Sequence, residues 1–322
     1  MDLLKRVKDF IGERLRGQSP LLLGYSGGPD SKALLYALIE MGGVPLHLAH
    51  IDHAWRPESG EEARLLAAEA KQLNLPFHSL RLSEKPTRNL EEAGRFARLS
   101  FFRSLFDKIP FAALLLAHQA DDRAETALKR LCEGAHLAHL GGLAPVSVLE
   151  GMPVWRPLLA VRKTEIHEFL AARRLQPLLD PTNEDPRFLR TRLRSQTMPQ
   201  LRESFGKEIV ENLALLSERA IELRDYLDQK IAPVWQERRE GPEGIAVSLQ
   251  GLERVEARHL LQKLGSSQGL CIPRRLLEPM LDAAKAGGRA RRFQVGGKTF
   301  LMDGGCITLI LADCKLFKIS KM

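Results

Sequence analysis

The sequence predicts an α/β protein: a parallel sheet with helices on both faces, followed by a long helical connector and a small α+β domain. Three observations carry this. Short apolar runs alternate with helix-period patterns through the first half, the rhythm of strand–crossover–strand units. A glycine turn joins the first of these runs to the helical pattern after it. A helical period from Lys207 to about Glu240 then separates this half from a shorter C-terminal stretch. The expected boundaries are 1–205 for the first domain, 206–244 for the helical linker and 245–322 for the last domain.

Each element has its own signal. The opening residues place Leu3, Leu4, Val7, Phe10, Ile11 and Leu15 on one stripe, so they read as an amphipathic helix and not as a signal peptide. Leu21 to Tyr25 is a buried strand, and Asp30 to Met41 the helix after it. Strands are expected at Pro45–Ile51, Phe77–Leu82 and Ala112–Ala117, alternating with helices at Gly60–Leu73, Leu90–Asp107 and Asp121–Cys132. Residues 133–155 are rich in glycine and low in periodicity, which predicts a loop or connector. A helix follows over Arg162–Arg174, then a turn-rich segment from Asp180 to Pro186. Gly241-Pro242-Glu243-Gly244 is expected to stop the long helix. The last domain reads as two helices, then strands near Arg291–Val295 and Ile307–Leu311.

Composition narrows the class. Apolar residues make up 44% of the 322 and charged residues 27%, as in ordinary soluble proteins, and no long uncharged apolar run predicts a membrane span. The four cysteines (Cys132, Cys271, Cys306 and Cys314) form no CxxC pair, which suits a reducing cytoplasm and suggests no zinc ribbon. The formal charge of +8 favours a polyanionic partner.

The loop Ser26-Gly27-Gly28-Pro29-Asp30-Ser31-Lys32 carries the strongest chemical signal. Its glycines allow a sharp turn that brings backbone N–H groups near a ligand. The helix behind it aims free N–H groups and its positive dipole end at the same point. Ser26 and Ser31 add hydroxyls, and Lys32 a cation. Asp30 would repel a bare phosphate, but it makes sense if Mg²⁺ lies between the two. This is not the GxxxxGK[ST] loop of kinases and GTPases.

Further polar motifs fall at the ends of the expected strands. They are His50-Ile51-Asp52-His53-Ala54-Trp55, then Ala117-His118-Gln119-Ala120-Asp121-Asp122-Arg123-Ala124-Glu125-Thr126. The third helix adds Glu91-Glu92-Ala93-Gly94-Arg95-Phe96-Ala97-Arg98. Asp122 and Glu125, at i and i+3, share a helix face; so do Arg95 and Arg98. The plain competitors are a helix cap for the aspartates, a solvated face for Arg98 and structural roles for His50 and His53.

The loop resembles that of the PP-loop ATP pyrophosphatases, a Rossmann-like superfamily. Together with Arg156-Pro157-Leu158-Leu159 and Asp180-Pro181-Thr182-Asn183, the motifs over residues 20–202 resemble the tRNA(Ile)-lysidine synthetase family. That resemblance implies ATP and Mg²⁺ as cofactors. It implies L-lysine and a tRNA(Ile) with a CAU anticodon as substrates, and adenylation of the wobble cytidine before lysine attack. It also implies ATP binding by Ser26, Gly27, Gly28, Pro29, Asp30, Ser31 and His50. Asp30, Arg98, Asp122 and Glu125 would be catalytic, Asp122 and Glu125 would hold lysine, and Asp30 and Asp122 a metal. The sequence departs from the family at Cys132-Glu133-Gly134-Ala135, Leu99 and Thr191.

Arg187, Arg190, Arg192, Arg194 and Arg202 form a run without an acid. From this, Arg190, Arg192 and Arg194 are expected to bind tRNA. Residues 287–322 add seven basic against two acidic residues. Trp55, His53 and Phe188 are stacking candidates for a flipped base. A tRNA thiolase and a non-catalytic RNA-binding protein stand as the other readings, and the sequence leaves open a monomer or a homodimer.

Overall fold

The structure, a computed structural model, describes residues 2–54, 58–83, 90–178, 187, 189–286 and 290–311. It divides into two compact units, one ending at Ile221 and one beginning at Glu222.

The first unit is built on a six-stranded sheet. Its strands are β1 (Leu21–Gly24), β2 (Leu46–Asp52), β3 (Phe77–Arg81), β4 (Ala113–Leu115), β5 (Val146–Leu149) and β6 (Met152–Trp155), in the order β3-β2-β1-β4-β6-β5. All neighbours are parallel except the β5–β6 hairpin. β1 is central because its side chains suit burial on both faces: Leu21, Leu22 and Leu23 are wholly buried, and each such leucine contributes about 2 kcal/mol. Leu21 and Leu23 join a core with α1 (Leu3–Arg14), α2 (Pro29–Met41), α3 (Ser59–Gln72) and α6 (Lys163–Ala172). Leu22 faces the other way, onto Phe102 and Leu105 of α4 (Leu90–Phe106). Helices thus cover both faces, as the alternating pattern predicts.

Strand order reverses at β1: β2 and β3 lie to one side, β4 and β6 to the other. Such a reversal opens a crevice at the carboxyl ends of β1 and β4. α2 starts just after β1, and α5 (Ala120–Cys132) just after β4. Behind α5, Ala124 and Leu128 pack on Leu193 and Met198. These belong to a run of α7 (Leu189–Arg192), a π-helical turn (Leu193–Thr197) and α8 (Met198–Phe205).

The structure corrects the expectations in two places. The glycine-rich segment before residue 155 is not all loop: it holds the β5–β6 hairpin, and β6 pairs with β4. Both strands have four residues, too short for periodicity to register. Gly241 to Gly244 does not stop the long helix either. That helix, α9, runs from Ile209 to Gln236, and the glycines turn a hairpin between β7 (Arg239–Gly241) and β8 (Gly244–Ser248). The break between units falls inside α9.

In the second unit, β9 (Arg291–Val295), β10 (Lys298–Asp303) and β11 (Cys306–Ile310) complete an antiparallel sheet of order β7-β8-β11-β10-β9. One face buries Phe300, Met302, Ile307 and Leu309 against α10 (Arg254–Ser266) and α11 (Arg274–Lys285). No helix among the described residues is long and apolar enough to cross a membrane.

Candidate active site

The site gathers at the crevice predicted by the strand order. On its β1 side, Gly27 has φ +76°, the left-handed region where a side chain is strained. A Cβ there would also lie 2.6 Å from Leu66 and 2.8 Å from Leu178. The Gly27 carbonyl accepts from the Leu178 amide at 2.9 Å, which pins the loop. Gly28 caps α2 and Pro29 occupies its first turn, leaving the free N–H groups of that turn at the crevice. The Gly28 amide donates to Ser26 Oγ at 3.3 Å, and Ser31 Oγ lies 3.1 Å from both Ser26 Oγ and the Gly28 carbonyl. The result is a small cradle of amides and hydroxyls, chemistry suited to phosphate oxygens.

Lys32 does not join it, contrary to the sequence reading. Its side chain is buried and its ammonium lies 3.0 Å from Glu69 Oε1. Tyr25 and Tyr36 donate to the same carboxylate at 2.6 and 2.9 Å. Position 32 faces α3, one residue round the helix from the crevice. His50 lies beside the loop, its Nδ1 2.9 Å from the Tyr25 carbonyl, and burial lowers its basicity.

On the β4 side, Asp122 and Glu125 do share one face of α5. Glu125 is 2% exposed, and Arg194 from the π-helical turn grips it with Nε–Oε1 of 2.7 Å and Nη2–Oε2 of 3.3 Å. The same Nη2 lies 3.4 Å from Asp122 Oδ1, and Arg190 Nε lies 3.7 Å from Glu125. Burial raises the Glu125 pKa, with Arg194 pulling against it. Burial also opposes the charge on Arg194, but the carboxylates of Glu125, Asp122 and Asp30 overcome it and hold the guanidinium firmly protonated. Arg190 and Arg194 are therefore not part of a purely cationic surface: the fold turns both onto the acid pair. Arg192 is exposed and donates to the Arg187 carbonyl at 2.9 Å.

Asp30 joins the two sides. Burial raises its pKa to about 7, and the nearby Asp122 carboxylate adds to the effect, against Lys163 and Arg194. Its Oδ1 is buried without a hydrogen-bond partner. An orphaned carboxylate oxygen facing a second carboxylate fits a hard divalent cation, which prefers oxygen ligands.

Three residues outside the sequence assignments also converge. His118, at the end of β4, has its basicity lowered to about 4 by burial, with Arg156, Arg190 and Arg98 acting in the same direction. Its Nδ1 has no hydrogen-bond partner. Arg156, at the end of β6, is buried and donates to the Ala144 carbonyl and to Ser147 Oγ, both at 2.8 Å. Asp121 accepts from the Lys163 amide at 3.1 Å. Their common signal is legible: each lies within three residues of the end of a parallel strand or in the first turn of the next helix. Arg98 is exposed on α4, and its charge acts on His53 and His118. Trp55, Phe188 and the Asp180–Asn183 motif lie outside the described residues.

The chain is similar to known proteins. A PP-loop domain family matches residues 2–201. The tRNA(Ile)-lysidine synthase of Protochlamydia amoebophila is 33% identical over 312 residues, covering 95% of this chain and 68% of that protein. Those of Chlamydia pneumoniae and Chlamydia muridarum are 39% and 41% identical over 72% and 71% of this chain, and 74% and 72% of their own lengths. Among solved structures, a U34-tRNA thiolase from Methanococcus maripaludis superposes with a TM-score of 0.56 at 17% identity, over 68% of this chain and 78% of that one, a likeness of fold. By both the PP-loop match and the extent of identity to these relatives, the chain belongs to the tRNA(Ile)-lysidine synthase family.

Proposed function

We propose that the chain ligates L-lysine to C2 of the wobble cytidine in the CAU anticodon of a tRNA(Ile), at the expense of ATP. The cytidine O2 attacks the α-phosphorus and pyrophosphate leaves. The lysine side-chain amine then attacks C2, AMP departs with O2, and the amine gives up its proton. The observation that carries this reading is the buried, unpartnered Oδ1 of Asp30, in the first turn of α2 beside the phosphate cradle and within the field of Asp122.

Roles follow from chemistry. The amides and hydroxyls of Ser26, Gly27, Gly28 and Ser31 suit the departing pyrophosphate. Asp30 and Asp122 would hold Mg²⁺, which when bound neutralises charge on the phosphates. Asp122 and Glu125 suit an ammonium. A guanidinium already satisfies them in the form of Arg194, so incoming lysine displaces or shares that partner. A carboxylate freed in this way can accept the proton that the amine must lose. Arg98 would stabilise the adenylated oxygen, His50 would border the nucleotide, and Arg192 would meet RNA phosphate. The reaction belongs in the cytoplasm, where ATP and tRNA are available.

A thiolase would need a reactive thiolate at this crevice. Cys132 ends α5, ten residues and about 15 Å along the helix from Asp122. The test is incubation with ATP, labelled lysine and a tRNA(Ile) transcript. Label entering RNA with matching AMP release is expected. Turnover that needs a sulfur donor, or no turnover, would refute the proposal.

A further inference from the structure

We infer that Arg123 is a positioning residue for the lysine-dependent half of the reaction. It fastens the helix carrying Asp122 and Glu125 to the connector helix α9 and to the glycine segment before β5. The inference rests on the function proposed above.

Arg123 sits between the two acids in sequence but turns away from them, since each residue advances about 100° around a helix. Its side chain is 4% exposed. Its Nε donates to Ser217 Oγ at 3.0 Å and its Nη1 to Glu218 Oε1 at 2.7 Å, both on α9. Ser217 is wholly buried and donates in turn to the Gly141 carbonyl at 2.6 Å. A serine hydroxyl has one proton, so the direction of the chain is fixed: Arg123 to Ser217 to Gly141. Such a chain strengthens each of its members.

The glycines show how tightly the segment is seated. A Cβ at Gly141 would lie 2.5 Å from Ile221 and 3.0 Å from the Ser217 carbonyl. Gly142 has φ +61°, and a Cβ there would lie 2.5 Å from Thr126, one residue beyond Glu125. A second tie flanks the first. Arg162 reaches Asp121 at 3.5 Å and Glu211 of α9 at 3.3 Å. The first turns of α9 therefore hold α5 on either side of Asp122.

Cohesion alone does not explain this arrangement. A buried arginine paired with a carboxylate is weak as a source of stability, and apolar side chains of similar volume serve as well or better. Directional donors supply something else: they fix the rotation and axial slide of α5. A displacement of about 1 Å at a reacting group costs about a hundredfold in rate.

The test uses the full chain and separates two half-reactions. One is formation of adenylated tRNA with pyrophosphate release in the absence of lysine; the other is transfer of lysine. Arg123→Gln is expected to slow lysine transfer or raise its KM by about tenfold or more, with a clearly smaller loss of adenylation, which calls on Asp122 but not on Glu125. Arg123→Lys should restore part of the loss, and Ser217→Ala should give the same split in milder form. Parallel loss of both half-reactions with Tm, or a folded Arg123→Gln protein with neither affected, overturns the inference. If Arg123→Gln does not fold, Ser217→Ala and Glu218→Gln decide by the same split. If the unaltered chain transfers no lysine, the proposed function fails, and amide hydrogen exchange judges the clamp alone. Faster exchange over residues 120–128 in Ser217→Ala, with α2 unchanged, supports it; equal exchange overturns it.

Discussion

Asp30 and His118 face the same crevice and respond to burial with opposite signs. Burial raises the aspartate pKa from its unfolded value near 4 to about 7. The folded state therefore binds the extra proton between those values, and stability contributed by protonated Asp30 is lost as pH rises through about 7. For His118 burial lowers the pKa from 6.5 to about 4. The unfolded chain then takes up the proton first, so stability is lost as pH falls from about 6.5 towards 4. His47, His50, His53, His78 and His259 are lowered as well and act with the same sign. His118→Gln should flatten part of the acid limb of a Tm-against-pH curve; an unchanged limb would contradict the assignment. The aspartate makes a second, separate prediction. A protonated Asp30 cannot hold a divalent cation, so each pH unit below about 7 should weaken binding of Mg²⁺ with an ATP analogue by up to about tenfold. Calorimetric titration at pH 6 and pH 8 checks this, and Asp30→Asn should erase the difference.

At the scale of elements, the loop between β1 and α2 depends on Gly27 for both conformation and space. Gly27→Ala puts a side chain at φ +76° and within 2.8 Å of two leucines. The backbone strain costs about 1–2 kcal/mol and the overpacking about 1–3 kcal/mol. Tm should fall by several degrees, and pyrophosphate release should be lost even at temperatures where the chain stays folded. Retained release would mean that the loop holds no phosphate. Lys32, one turn along α2, makes the opposite case. Lys32→Met leaves Glu69 with two tyrosine donors but no cation, at a cost of about 3 kcal/mol or more. Thermal unfolding should register that loss, while the KM for ATP stays within about twofold. A large rise in KM would return Lys32 to the phosphate site. The contrast marks where the sequence was legible. Strand–turn–helix spacing identified the loop and the Asp122/Glu125 face because both are properties of one local element. Lys32 is illegible in sequence because its partner, Glu69, lies on α3, and no local pattern reports a contact across 37 positions. Arg190 and Arg194 read as surface charge for the same reason: Glu125 lies on α5, far away in sequence, and the run of α7 and π-helical turn that carries both arginines to it has no local signature. The β5–β6 hairpin escaped because two four-residue strands leave no period to detect.

At the scale of the whole chain, a net charge of +8 must be divided between arginines that the fold consumes and those it leaves facing solvent. Arg194, Arg123 and Arg162 pair with acids around the crevice, so their charge is neutralised before any RNA arrives. Arg291 and Arg292 are exposed on β9, at the edge of the second sheet. Cross-strand pairing sets Arg292 opposite Leu301, and the neighbours of Leu301 on β10, Phe300 and Met302, point into the core. Arg292 therefore stands exposed on the sheet face away from α10 and α11, where it can meet a polyanion. Each cation that touches phosphate releases counterions, and its loss lowers the slope of log affinity against log salt by about 0.7 to 0.9. Arg292→Gln should accordingly reduce the slope for tRNA(Ile) by about 0.7 to 0.9. Arg194→Gln should leave that slope nearly unchanged and act instead on the KM for lysine. Filter binding from low to physiological salt distinguishes the two. A slope that drops for Arg194→Gln but not for Arg292→Gln would place the RNA contact at the crevice and remove the second sheet from the binding surface.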